Sequence, residues 1–186
     1  MSVPVGGATG AAANRRGMSL RFLNGTDSVG GVQVVLSGGT GRLGFDLGVV
    51  GNPAIVRDRT LFNSFLRPRP GSALTDYLRA GMAPLVEGLY ERSELAPFVS
   101  VADATATFRA RGFALDGYPL VTEGEAAELA VFISHLHEDH MSLLPFVART
   151  VPVLMSDSGA RLHDALVTAG ASPGIHASVT GVGVAE

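Results

Sequence analysis

The sequence predicts an α/β fold with a mixed β-sheet and flanking helices. Short apolar strand signals, separated by clusters of Gly, Asn and Asp, fill the N-terminal part of the chain and are typical of antiparallel hairpins. From residue 129 onward, strand and helix signals alternate, which is the pattern of an α/β domain. The chain has 186 residues, 46% of them hydrophobic, and is therefore long enough for one domain with a sizeable core.

The N-terminal elements are a leader and three strands. Residues 1–17 are rich in Gly and Ala and predict a flexible leader, followed by a domain over residues 18–186. Alternating or continuous apolar runs predict strands over residues 20–23, 33–36 and 43–46.

The middle of the chain predicts short helices and loops, because prolines interrupt it repeatedly. The clearest helix covers residues 72–80, with Ser72 or Thr75 as the capping residue.

The C-terminal part predicts two strand–helix pairs. A buried strand over 129–134 precedes a short helix over 141–149, whose N-terminus would direct backbone N–H groups toward the preceding residues. A strand over 151–155 precedes a helix that Asp157 or Ser158 would cap and Gly170 would end. The apolar periodicity of this second helix predicts four inward-facing residues: Leu162, Ala165, Leu166 and Ala169.

Three of the five histidines, His135, His137 and His140, lie within six residues and have Asp139 beside them. Because side chains alternate along an extended chain, His135 and His137 should project to one side, and Asp139 and His140 follow where the chain turns. A lone histidine at a strand end is usually solvated or hydrogen-bonded, but a dense cluster of imidazoles with a carboxylate favours a site for zinc or a related ion. Glu138 would point away from its neighbours, as a surface residue or a support for a ligand.

Residues 134–140 resemble the HxHxDH motif of the metallo-β-lactamase superfamily, whose members are mostly metal-dependent hydrolases. The Ser-Gly-Gly-Thr at 37–40 and the Asp-Leu-Gly at 46–48 are similar to the family's upstream turn and Asp-x-Gly. The resemblance implies the αββα sandwich of that family, of which residues 18–186 would form the N-terminal half. The long insert between Asp46 and the motif is similar to that of the ribonuclease J-like branch.

The resemblance also implies the metal ligands. His135 and His137 would bind a first divalent ion, Asp139 and His140 a second, and Asp139 would orient the bridging water. Zinc is the favoured metal, with manganese or iron as alternatives. Asp46 would either support a ligand by a hydrogen bond or cap a turn, and turn capping is the favoured interpretation.

Counting donors predicts an incomplete site. Two catalytic ions need roughly six protein ligands, and the motif provides four. The family supplies the others further downstream, and four other candidates are better explained as solvated, capping or surface residues: His163, His176, Asp157 and Asp164. The sequence therefore predicts part of a truncated or split hydrolase domain, with a missing C-terminal half or a second copy of the chain as its partner.

The expected activity is hydrolysis of an ester, phosphodiester, thioester, lactone or lactam. The alternative is a non-catalytic fragment with an interaction or regulatory role. Nucleotide binding through the G-x-G-x-x-G at 39–44 is disfavoured, because the following Phe-Asp-Leu-Gly does not begin a helix; a hairpin turn is predicted instead.

Composition excludes several function classes. The net charge of −3 shows no excess of positive charge that would favour binding to nucleic acid or an anionic membrane, so a nucleic-acid substrate is not supported by charge. The absence of cysteine excludes disulfides, thiol catalysis and thiolate metal sites. No apolar run approaches the ~18–20 residues of a membrane span, and no hydrophobic signal-peptide core is present, so a cytoplasmic location is expected.

Overall fold

A computed structural model describes residues 17–26, 31–39, 41–49, 69, 71–113, 115, 120–122, 128–172 and 174–183. These residues form an α/β fold built on a six-stranded mixed sheet, with the strands in sequential order across it. The predicted leader, apart from Gly17, lies outside the described residues.

The first three strands form an antiparallel meander: β1 (Ser19–Asn24), β2 (Gln33–Gly38) and β3 (Gly41–Phe45). Their positions confirm the three predicted strands to within two residues. Gly38 pairs with Gly41, so the Gly-rich motif lies in a tight hairpin connection, as predicted, and not at the start of a helix.

The last three strands are parallel to β3 and to one another: β4 (Glu128–Phe132), β5 (Val153–Ser156) and β6 (Val179–Val182). Parallel strands need crossover connections, and these are where the described helices lie. The carboxyl ends of β3 and β4 are therefore neighbours, which brings the residues after Phe45 beside those after Phe132.

The described helices are α1 (Ala73–Arg79), α2 (Val101–Ala110), α3 (Glu138–Met141) and α4 (Asp157–Thr168), with 3₁₀ turns at Arg92–Leu95 and Leu144–Phe146. Helix α1 was predicted, although the Ser72 side chain makes no capping hydrogen bond. In α2, by contrast, the hydroxyl of Ser100 accepts a hydrogen bond from the Asp103 N–H.

The predicted helix over 141–149 is wrong. Helix α3 begins three residues earlier, at Glu138, and ends at Met141, and the chain continues into the 3₁₀ turn Leu144–Phe146. Pro145 has no N–H to donate and disfavours continuation of an α-helix. Asp139 and His140 consequently lie inside a helical turn rather than before a helix.

Three of the four residues predicted to face inward on the last helix do not do so; the fourth, Leu166, is half-buried. Leu162 is 54% exposed, Ala165 and Ala169 are exposed, and His163, which was expected in solvent, is 4% exposed. Helix α4 packs on β5 and β6, and this docking rather than the apolar period decides which face is buried. Ser156, not Asp157 or Ser158, caps the helix by accepting from the Gly159 N–H.

The two faces of the sheet differ in coverage. One face carries the buried row formed by Val35, Val131 and Val153, which belongs to the hydrophobic core. The opposite face carries a second apolar row that the described residues cover only in part. We call it the open apolar row, and its members are Phe22, Val34, Phe45, Phe132 and Leu154.

No helix in the described part of the chain is both long and apolar enough to cross a membrane.

Candidate metal centre

Three imidazole rings lie together immediately after β4. The ring centroid of His135 is 4.6 Å from that of His137 and 3.9 Å from that of His140. His137 has an extended backbone, and helix α3 then turns the chain back, which returns His140 to the ring of His135. We call His135, His137 and His140 the histidine cluster.

Asp46, the first residue after β3, anchors the histidine cluster. Its Oδ1 accepts a hydrogen bond from the backbone N–H of Ser134 at 2.8 Å, and its Oδ2 accepts from the Ser134 hydroxyl at 2.9 Å. The same Oδ2 lies 2.9 Å from Nδ1 of His140. Asp46 therefore joins the chain before the cluster to the last histidine in it, and the turn-capping interpretation favoured from the sequence is wrong.

These hydrogen bonds select the protonated nitrogen of two rings. An ionised carboxylate can only accept, so Nδ1 of His140 donates to Asp46, and in the neutral ring the lone pair is on Nε2. The Ser134 hydroxyl donates to Asp46 and lies 3.0 Å from Nδ1 of His135, so it can accept from that ring. Ser134 was not singled out in the sequence, where a serine beside a histidine carries no distinguishing signal.

Close backbone packing holds the loop after β3 against helix α3. The Leu47 N–H donates to the carbonyl of His140 at 2.7 Å, and the Leu143 N–H donates to the carbonyl of Leu47 at 2.9 Å. A Cβ on Gly48 would lie 1.6 Å from the carbonyl oxygen of Asp139, so only glycine allows this approach. The Asp-Leu-Gly at 46–48 thus supplies both the carboxylate and the space for the helix.

Most of the motif is exposed to solvent, including His135. The carboxylate of Asp139 is 47% exposed, and its Oδ2 lies 3.4 Å from Nε2 of His140. His137 and Glu138 are exposed. Burial raises the pKa of the half-buried Tyr77, and the negative charge of Glu138 raises it further, which makes Tyr77 an electrostatic neighbour of the motif that sequence reasoning missed.

The donor set fits a divalent ion in its chemistry. Imidazole nitrogen with carboxylate oxygen suits zinc and related ions, and a ligating histidine usually donates its other ring N–H to a carboxylate, as His140 does to Asp46. In the described residues, however, no group of three or more His, Asp or Glu side chains is arranged to surround an ion. Binding would therefore require rotation of the exposed rings.

The other candidate donors have different surroundings. His163 is buried on α4, its Nε2 has no hydrogen-bond partner among the described residues, and burial lowers its pKa. His176 lies in a loop, as predicted, with its Nε2 3.6 Å from Oε1 of Glu94. Asp157 and Asp164 lie on α4, and both are exposed, as predicted for surface acids.

Comparison with known proteins identifies a structural likeness and no sequence relative. No protein-family model matches the chain, and no curated protein matches it. A crystal structure of a protein of unknown function from Enterococcus faecalis V583 is similar in fold, with a TM-score of 0.56 and 15% sequence identity. The likeness shows the α/β fold alone. It covers 90% of this chain and 33% of that protein, so the chain spans about a third of its structural neighbour's length.

Proposed function

We propose that this chain is the motif-bearing part of a metal-dependent hydrolase of the metallo-β-lactamase superfamily. The observation that supports this most is the carboxylate of Asp46, which hydrogen-bonds Ser134 on one side and His140 on the other. Such a carboxylate fixes the tautomer and orientation of a metal-binding imidazole. A structural role alone would not explain why the bonded residues frame a cluster of three imidazoles.

The open apolar row supports the proposal that the sheet is one half of an αββα sandwich. An apolar sheet face normally packs against a second layer. Here Leu20 and Phe22 on β1 are 57% and 54% exposed, and the row continues across β2 to β5. A second sheet, contributed by another part of the protein or by a second copy of the chain, would bury it.

In the proposed site, His135 and His137 would hold one divalent ion and Asp139 and His140 a second, with zinc favoured over manganese or iron. Two such ions would lower the pKa of a water molecule and neutralise charge that develops on an ester, phosphodiester or lactam. Asp139 is the proposed catalytic residue, because its exposed carboxylate can accept a hydrogen bond from the attacking water. The tautomer of His140 selected by Asp46 leaves Nε2 as its donor atom.

Metal binding and turnover together test the proposal. The purified metal-free chain is titrated with zinc or manganese by calorimetry, and the loaded chain is assayed with p-nitrophenyl acetate and bis(p-nitrophenyl) phosphate. Alanine in place of His135 or His140 should abolish binding, whereas the matched control His176→Ala should bind as the wild type does. Metal affinity that is indifferent to both cluster variants would contradict the proposed site.

A non-catalytic interaction role is the second candidate, and the exposure of Leu20 and Phe22 favours it. The same titration separates the two roles. Metal binding with turnover of either ester contradicts the non-catalytic role, and a chain that binds no metal at the histidine cluster contradicts the hydrolase.

A further inference from the structure

A cavity of about 390 Å³ lies between the segment that follows β4 and the end of helix α4. Its volume is within the range of small-molecule pockets, roughly 300–1,000 Å³. Leu136, Met141 and Leu144 line it from the first segment, and Leu166 and Ile175 line it from the second. The described walls are therefore mainly aliphatic.

The cavity and the histidine cluster lie on opposite sides of the same segment. The rings of His135 and His137 are 4.6 Å apart and share one side of the chain, and the residue between them, Leu136, lines the cavity. Glu138, the next residue after His137, lines the cavity as well. An occupant would consequently contact the motif from behind, without touching the imidazoles.

Three polar side chains line this otherwise apolar space: Glu138, Ser142 and Ser172. The Ser172 hydroxyl oxygen is enclosed and has no hydrogen-bond partner among the described residues. The Ser142 hydroxyl oxygen accepts from the Val49 N–H, which leaves its own hydrogen free to donate. The enclosed Ser172 oxygen has no surface that an occupant could touch, so Glu138 and Ser142 are the polar side chains that an occupant could meet.

The charge of the lining determines which ligands fit. Glu138 is the single ionisable residue among the described lining residues, and its side chain is exposed at the rim. A carboxylate beside an aliphatic wall attracts a cation that carries hydrocarbon and repels an anion of the same size.

We propose that this cavity binds a small aliphatic amine, with its hydrocarbon body between Leu136 and Leu166 and its ammonium group toward Glu138. The site is distinct from the histidine cluster, and the proposal does not depend on metal binding there.

Three probes of matched size test the proposal on the metal-free chain: cyclohexylmethylamine, cyclohexylmethanol and cyclohexanecarboxylate. Methyl NMR signals of Met141, Leu166 and Ile175 report binding in the cavity. The amine should bind about fivefold more tightly than the carboxylate, the factor that one exposed ion pair provides. Equal affinities, or no shift of these methyl signals with any probe, would overturn the proposal.

Two variants and a matched control locate the binding. Ala171 lines the cavity and is exposed, so Ala171→Phe should fill the space and abolish the shifts. Ala169 is exposed on the same helix end and does not line the cavity, so Ala169→Phe should leave binding unchanged. Glu138→Gln should remove the preference for the amine. Retained binding in the filled variant, or a retained preference in Glu138→Gln, would each contradict the assignment.

Discussion

Replacement of Gly48 by alanine probes the packing that holds the loop after β3 against helix α3. The new Cβ would lie 1.6 Å from the carbonyl oxygen of Asp139 and 2.5 Å from the backbone nitrogen of His140. Both obstacles are backbone atoms, so no side-chain rotation can relieve the overlap. The loop and the helix must move apart by more than an ångström.

The cost follows from the hydrogen bonds that this movement breaks. They join the Leu47 N–H to the His140 carbonyl, the Leu143 N–H to the Leu47 carbonyl, and the Gln33 side-chain amide to the Gly48 carbonyl. Each contributes roughly 0.5–1.5 kcal/mol, and overpacking adds about 1–3 kcal/mol. We therefore expect Gly48→Ala to lower the free energy of unfolding by about 2.5–7.5 kcal/mol.

Urea denaturation followed by circular dichroism measures this change. The matched control is Gly174→Ala, because a Cβ at Gly174 meets nothing within 4 Å and its φ is not in the left-handed region. The control should change the free energy of unfolding by less than about 1 kcal/mol, in the stabilising direction. A Gly48→Ala chain as stable as the control would refute the close approach of the loop to helix α3.

Three further predictions concern single side chains. Asp46→Asn should keep the fold, since asparagine tolerates the φ of 57° at this position. It should weaken metal binding about 10–100-fold in a calorimetric titration, because His140 loses its carboxylate partner. Unchanged metal affinity would contradict this. Burial lowers the pKa of His163 in the folded chain, so the unfolded chain protonates this histidine more readily, and stability should be full above about pH 6.5 and fall as the pH drops toward the lowered pKa. His163→Leu should therefore flatten the dependence of the urea midpoint on pH between about pH 6.5 and 5. An unaltered slope would contradict the assignment. Ser100→Ala should lower the free energy of unfolding by about 1 kcal/mol in the same denaturation assay. Ser72→Ala removes no capping hydrogen bond and should lower it measurably less. Equal decreases would contradict the two cap geometries.

The strands and the hairpin could be predicted because they depend on local patterns. Val34, Val35 and Leu36 form a continuous apolar run, and the glycines that follow are typical of a tight connection to β3. The carboxyl end of β4 could be predicted as well, since the apolar run in the sequence ends directly before the histidine motif.

The anchoring of the site could not be predicted from local patterns. Asp46 and His140 are 94 positions apart, and only the parallel pairing of β3 with β4 brings them together. The prediction of the buried face of helix α4 was wrong for a related reason. The apolar period of the helix predicted that Leu162 faces inward, but its docking on β5 and β6 buries His163 instead. Tertiary packing decides both outcomes, and a single sequence contains no direct record of it.

The measurement that tests the central claim most directly is a zinc titration monitored by long-range ¹⁵N–¹H NMR of the histidine rings. Before zinc is added, His140 should be protonated at Nδ1, the nitrogen bonded to Asp46. Zinc should then shift Nε2 of His135 and His140 and a ring nitrogen of His137, and leave His163 and His176 unchanged. A neutral His140 ring with its proton on Nε2 instead of Nδ1, or a zinc response that spares the cluster, would contradict a metal site oriented by Asp46.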